Sequence, residues 1–267
     1  MSRRHQSILN VLSPSFSNQF SFEFDGVDEN FSSSLTVPNS DKTLSYWVNA
    51  NGTYTNFPPQ GYGPAAIMAS NGSTTQNAIG LMYYKGNELY PSMQGWNPER
   101  TLYQTWTARD LNFEGAGWHH ILWTYDSSTE YAQCFVDGSG PQTFTQFSGS
   151  GTTTNIWSEN AIYNGGFSIG SQRSGVNFAG YFEGLVDEVA VFNSVLSQTD
   201  INTIYGTGTP SSLAALNPVA WYRMGEEATF SNPGGTGTWT LTDQGSGSNN
   251  ATSANMEEAD RKENIPT

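Results

Sequence analysis

Short apolar runs in strict alternation, broken by clusters of Gly, Asn, Pro and Ser, are the feature that most limits what this chain can become. From Gln19 the pattern sets Phe20, Phe22 and Phe24 on one side and Gln19, Ser21 and Glu23 on the other, before Asp25 and Gly26 supply turn chemistry. The same grammar returns at residues 43–49, 65–69, 78–84, 118–125, 131–136, 167–170 and 185–192. Many short strands with almost no helical period predict an all-β, two-sheet antiparallel sandwich and argue against a βαβ arrangement. Alternation within the strands assigns Phe22, Phe24, Tyr46, Ile121, Trp123, Val189 and Val191 to one inter-sheet core. The helical exception is brief: Ser197 with Asp200 reads as a capping box, and Ile201, Ile204 and Tyr205 follow at one-face spacing.

The organisation follows from where the alternation starts and stops. Residues 1–18 read as an N-terminal arm with a basic tip at Arg3 and Arg4, residues 19–206 as the sandwich, and residues 207–267 as a linker and C-terminal extension. The extension is too short to bury a core alone, yet it carries Trp221, Tyr222, Met224 and Trp239. Large apolar side chains in a polar segment need a cover, so the extension is expected to dock on the sandwich or on a neighbouring chain. Arg3, Arg4, Trp221, Tyr222 and Trp239 are therefore the candidate assembly residues. Residues 1–18 hold no apolar stretch long enough for a signal peptide or a membrane span.

Charge narrows the partners. The formal net charge is −14 and charged residues make up only 13% of the chain, so the surface is mostly neutral polar with an acidic excess. That balance repels a phosphate backbone and excludes nucleic acid as the expected partner. Clustered carboxylates gain instead from a hard divalent cation. The one cysteine, Cys134, sits in an apolar run and can form no internal disulfide.

The ordered series FDGVDENF (24–31), TLSYWVNA (43–50), GWHHILWTYD (117–126), FVDG (135–138), FSIGSQ (167–172) and FEGLVDEVAVFNSVLS (182–197) resembles the laminin G-like family in its bacterial and phage form. The resemblance implies a concanavalin A-like jelly roll whose first strand lies beside its last, with Phe22 and Phe24 near Val189 and Val191. It also implies a non-enzymatic structural protein of a phage virion, at the particle surface as a decoration, fibre or appendage subunit. Its partners would be other virion proteins, copies of itself and host-surface glycans, with no membrane insertion. The alternatives are an independent carbohydrate-binding adhesin at a cell surface and, third, a sandwich-fold glycoside hydrolase. The segments VAWYRMGEEATF and TDQGSGSNNAT resemble the opening strand and turn of the same family, but here they follow the domain instead of preceding it.

Three sets of residues carry the functional expectations. Asp25, Asp28 and Asp187 lie in segments that the family sets side by side, which makes them candidate calcium ligands, although the fold requires no cofactor. Tyr90, Trp96, Tyr103 and Trp106 stand among Asn, Gln and Pro residues, a mixture that suits sugar stacking, a protein interface or core burial. Glu23, Asp25 and Asp28 invite comparison with a glycosidase strand, but Gly26 interrupts the strand before the third acid. His119 and His120 are adjacent in a strand, point to opposite faces and cannot chelate one metal together.

Overall fold

A computed structural model of the protein describes residues 16–37, 40–50, 66–70, 78–84, 89–96, 103–107, 113, 115–129, 131–142, 145–149, 167–174 and 177–267. At 68–70, 78–84, 89–90, 93–96, 103–107, 145–149, 172–174 and 177–179 the description is of the backbone alone.

In chain order the first strands are β1 (Ser21–Asp25), β2 (Asn30–Ser33), β3 (Lys42–Asn49), β4 (Ile67–Ser70), β5 (Ala78–Tyr84), β6 (Leu89–Trp96) and β7 (Tyr103–Thr107). Next come β8 (Trp118–Asp126), β9 (Tyr131–Val136), β10 (Thr145–Gly149), β11 (Phe167–Ile169), β12 (Gln172–Ser174), β13 (Asn177–Ala179) and β14 (Glu183–Phe192). Helix α1 (Gln198–Tyr205) follows, then β15 (Ala220–Tyr222), β16 (Met224–Phe230), β17 (Trp239–Leu241), β18 (Ala251–Ala254) and β19 (Arg261–Lys262). One sheet runs β19-β1-β14-β3-β8-β9, with β15 continuing along β14; the other runs β10-β7-β6-β5-β4-β11-β2-β18-β17-β16. Every pairing within them is antiparallel, the arrangement that short turns and alternating faces dictate.

All seven residues assigned to the inter-sheet core by alternation are in it, each at most 1% exposed. Phe22 meets Phe31 and Trp239 edge-on, with ring centroids 4.9 and 5.1 Å apart, so strands from both sheets converge on one aromatic cluster. Cys134 is buried there as a small hydrophobe. Phe20 departs from the alternation: β1 begins at Ser21, and Phe20 is half-buried under the Arg261 guanidinium at 4.5 Å.

The outer face of the first sheet is covered as well. Leu122, Phe135, Ala190 and Phe192 face a second cluster formed by Ile201 and Ile204 of α1 with Leu196, Leu213 and Trp221. Ser197 caps α1 through the expected box with Asp200, which fixes where the helix starts and thus where its apolar stripe lands. Cover on both faces leaves β3 and β14 buried along nearly their whole length instead of at alternate positions.

The C-terminal extension docks on its own chain. Tyr222, Trp221 and Ala220 pair with Val189, Ala190 and Val191, and β18 inserts between β2 and β17. Trp221, Tyr222 and Trp239, expected to serve assembly, are 6%, 0% and 2% exposed within this chain. Their burial here leaves them unable to anchor a neighbour, and that expectation is corrected accordingly. Arg3 and Arg4 lie outside the described residues.

Candidate functional site

A β-bulge in β14 determines what its two acids can touch. The register against β3 slips between Asp187 and Ala190, and Glu188 adopts φ 46°, so Val186 and Val189 both serve the inter-sheet core. Asp187 and Glu188 are turned away from that core, yet they are only 0% and 2% exposed, because the residues before β1 and those of β15 and β16 cover them. Glu226 of β16 completes the group: carboxylate oxygens of Asp187, Glu188 and Glu226 lie within 4.8 Å of one another.

Each acid holds a different segment in place. Asn18 Nδ2 donates to Asp187 Oδ2 at 2.7 Å, and Asp187 Oδ1 accepts the Glu188 N–H at 2.8 Å. Glu188 accepts the Trp221 indole N–H at 2.5 Å and pairs with Arg223 Nε at 3.2 Å. Glu226 Oε1 accepts the N–H groups of Gln19 and Phe20. Arg223 also donates to the Ser17 carbonyl and lies over the Phe16 ring at 4.4 Å. Burial holds the Asp187 carboxyl well above the usual carboxylate range, and the neighbouring Glu188 charge adds to the effect. Glu188 is pushed up to about 7, chiefly by burial, with the Arg223 charge acting in the opposite direction.

This grouping replaces the expected calcium set. Asp25 lies at the end of β1 opposite Glu183, while Val186, next to Asp187, lies opposite Phe22 near the other end of that strand. Asp25 accepts the Val27 N–H at 2.8 Å in its own turn, and Asp25 and Asp28 are both exposed. The strand register keeps them from sharing an ion with buried Asp187.

A second acidic feature flanks β1. Glu23, Phe24, Asp25, Glu29, Glu183 and Asp260 line a cavity of about 270 Å³. Glu29 is 6% exposed and one oxygen of its carboxyl accepts the Asp25 N–H at 2.6 Å, which ties it to the turn after β1 where it lines the cavity beside Asp260. Burial pushes its carboxyl up to about 8, partly offset by that backbone hydrogen bond. Lys262 pairs with Glu23 at 2.9 Å.

The two histidines part as alternation requires. His119 Nδ1 pairs with Asp137 Oδ2 at 2.7 Å, whereas His120 Nε2 meets Ser45 Oγ at 2.8 Å. A serine in contact with an imidazole is a nucleophile and base in outline, but Asp137 touches the ring of His119 and only the backbone of His120. Ser45 and His120 are also fully buried, with Trp47 and Tyr205 rings 5.1 and 6.1 Å from the imidazole. Burial lowers the His120 pKa to about 4 and keeps the ring neutral.

The aromatic residues of the insertion fall on neighbouring strands of the ten-stranded sheet. Trp96 of β6 is in register with Tyr103 of β7, Trp106 with Met93 of β6 and Gln146 of β10, and Tyr90 of β6 with Tyr83 of β5. Their side chains lie outside the described residues.

A family model described as Laminin_G_3, concanavalin A-like lectin/glucanases superfamily, matches residues 25–202. The chain belongs to this family. The matched span ends within α1, so β15 to β19 lie beyond it. No curated protein matches the sequence. Among solved structures, a protein from Bacteroides ovatus described as a candidate carbohydrate-binding protein is 16% identical, with a TM-score of 0.56 over 94% of this chain and 62% of its own. This chain thus spans less than two thirds of that protein. A heptameric SAP-like pentraxin from Limulus polyphemus is 14% identical over 71% of this chain and 82% of its own, with a TM-score of 0.47. The CBM40 module of a Ruminococcus gnavus sialidase, solved with α2,3-sialyllactose, is 14% identical over 70% of this chain and 97% of its own, with a TM-score of 0.45. At such identities the likeness is one of fold.

The acids Glu188 and Glu226, with Asn18 and Arg223, were missed by sequence reasoning. One signal existed for Glu188: two adjacent acids inside LVDEVAVF, a run otherwise apolar enough to be buried on both faces. Glu226 had none, because GEEAT reads as an ordinary solvated strand.

Proposed function

We propose that this laminin G-like sandwich is a non-enzymatic, glycan-contacting protein that uses the β5-β6-β7-β10 end of its larger sheet. The register that sets Trp96 beside Tyr103 carries the reading, with Gln94 and Tyr90 at even spacing from Trp96 along β6 and so on the same face of the sheet. Aromatic planes supply stacking surfaces for the apolar face of a pyranose, and side-chain amides reach its hydroxyls. The carbohydrate-binding description of the Bacteroides ovatus structure points the same way. A catalytic role for Ser45 and His120 is disfavoured because the pair is sealed from solvent.

The test is a pull-down of the purified chain on a panel of insoluble polysaccharides, with release of reducing ends followed in parallel. Retention without release is the expected result. Release of reducing ends that is lost in Glu23→Gln or Glu29→Gln would instead make the protein a hydrolase.

The setting we propose is the surface of a phage particle, with residues 1–15 as the tether. Arg3 and Arg4 put positive charge on the tip of a chain whose net charge is −14, which suits attraction to the acidic body of a neighbouring copy. Removing residues 1–15 should then abolish salt-sensitive self-association measured by light scattering while leaving the sandwich folded. Identical association with and without the arm would refute the tether.

A further inference from the structure

We propose that residues 16–20 are an exchangeable arm: the groove that holds them also takes the same segment from a second copy of the chain, so that two copies trade arms. The segment lies in that groove as a bound peptide would. Phe16, Asn18 and Phe20 are half-buried, Ser17 and Gln19 are exposed, and none of them belongs to a strand.

Each inward side chain has its own seat. Phe16 stacks on Trp221 with ring centroids 6.4 Å apart, and the Arg223 guanidinium lies 4.4 Å from the same ring. Phe20 rests against Gly225, where a β-carbon would strike it, and under Arg261, whose guanidinium is also 5.2 Å from the Trp239 ring. Between these anchors Asp187 accepts from Asn18 Nδ2 at 2.7 Å, Arg223 donates to the Ser17 carbonyl, and Glu226 accepts the Gln19 and Phe20 N–H groups. Main-chain hydrogen bonds with pockets for alternate side chains are the means by which extended peptides are recognised.

The groove reads the segment and not its place in the chain. Its hydrogen bonds to the arm join residues 169 to 207 positions apart, so an identical segment from another copy makes the same contacts and exchange conserves them. What differs is the join to the sandwich. Ser21, directly after Phe20, is already paired with Lys262, which leaves no spacer between the seated ring and the sheet. With the arm on its own sandwich, Asn18 Oδ1 and Glu226 Oε2 are buried without a hydrogen-bond partner, a condition uncommon in folded proteins. An arm that arrives from another copy is released from that tight join, and short hinges of this kind favour exchange. Because each copy gives one arm and receives one, the contact closes as a symmetric pair instead of growing into a filament. It needs neither the charge of Arg3 and Arg4 nor a glycan.

Full-length chains carry the test, in about 1 M salt, where the Debye length is about 3 Å and attraction between exposed charges is screened. Sedimentation of the wild type should show a monomer–dimer equilibrium that moves to dimer as the chain is concentrated. Phe16→Ala with Phe20→Ala spoils the arm and leaves the groove open, whereas Gly225→Ala blocks the groove and leaves the arm whole. Each variant alone should sediment as a monomer, with a near-UV circular dichroism spectrum like that of the wild type. An equal mixture of the two should form a dimer, because one chain then offers an arm and the other a groove. A mixture that stays monomeric would overturn the proposal, and dimers of either variant alone would place the contact elsewhere and overturn it too. So would a wild type that is monomeric at every concentration, a result that needs no variant to fold.

Discussion

The two ends of the chain are fastened to the same sandwich by different physics. Residues 213–267 enter as backbone: β15 extends the ladder of β14, β18 fills a place between β2 and β17, and Tyr222, Met224, Trp239 and Leu241 join the inter-sheet core. Residues 16–20 enter side-on, held by Arg223 over Phe16, by Asp187 on Asn18, and by Glu226 on two backbone N–H groups. A ladder with buried aromatic rings cannot be removed without opening the core. Point contacts can be removed one at a time, and the cost of each is local.

The comparison is broken most directly by truncation. Ending the chain at residue 212 should abolish cooperative thermal unfolding and the near-UV circular dichroism signal, because Phe22 would lose Trp239 and Phe167 would lose Tyr222 as neighbours. A truncated chain that melts cooperatively would show that the extension is an accessory. At the level of single residues, Trp239→Ala and Tyr222→Ala should each cost about 3–5 kcal/mol in urea unfolding. Phe16→Ala should cost about 1 kcal/mol, since it removes one stacking partner and one cation–π contact of a half-buried ring.

Acid probes the covered outer face of the first sheet, where His120 lies in one cross-strand row with Trp47 and Asp187. His120 is neutral in the fold, with its pKa lowered to about 4, against about 6.5 for an unfolded histidine. Its contribution is fully present above pH 6.5 and is lost as the pH falls toward 4, because the unfolded state then binds the extra proton. The stability advantage of the wild type over His120→Gln should therefore shrink by about 1.4 kcal/mol per pH unit across that window. A constant advantage would mean that the imidazole is not sealed under Trp47 and Tyr205.

The smallest expected effect tests the arm alone. Gly225 has φ 135°, and a β-carbon there would strike Phe20. Gly225→Ala should speed amide exchange at residues 16–20 and leave β17 and β18 protected. Equal acceleration in those strands would mean that arm and extension form a single cooperative unit.

The sequence made the sandwich legible because alternation states which side of a strand is apolar. Phe22, Val189 and their partners could be assigned on that basis alone, and so could the Ser197 cap. Alternation does not say which strand lies alongside, so the extension read as a docking segment without a known partner until β15 paired with β14. The acidic cluster was hidden for a related reason. A bulge shifts the parity of β14 at Asp187 and Glu188, and no local residue pattern announced that φ would turn positive at a glutamate. Asp25 and Asp28 suggested calcium through their proximity to the last strand, but four register positions along β1 separate neighbouring strands from a shared site.

The central functional claim rests on the aromatic strands, and calorimetric titration tests it most directly. The full-length chain would be titrated with the glycan that it retains best, beside Trp96→Ala and Trp106→Ala. The account predicts that at least one substitution weakens binding by about tenfold or more, the loss of about 1.4 kcal/mol expected when a stacking plane is removed, with the thermal midpoint little changed. Undiminished affinity in both variants, or no heat with any glycan, would contradict it.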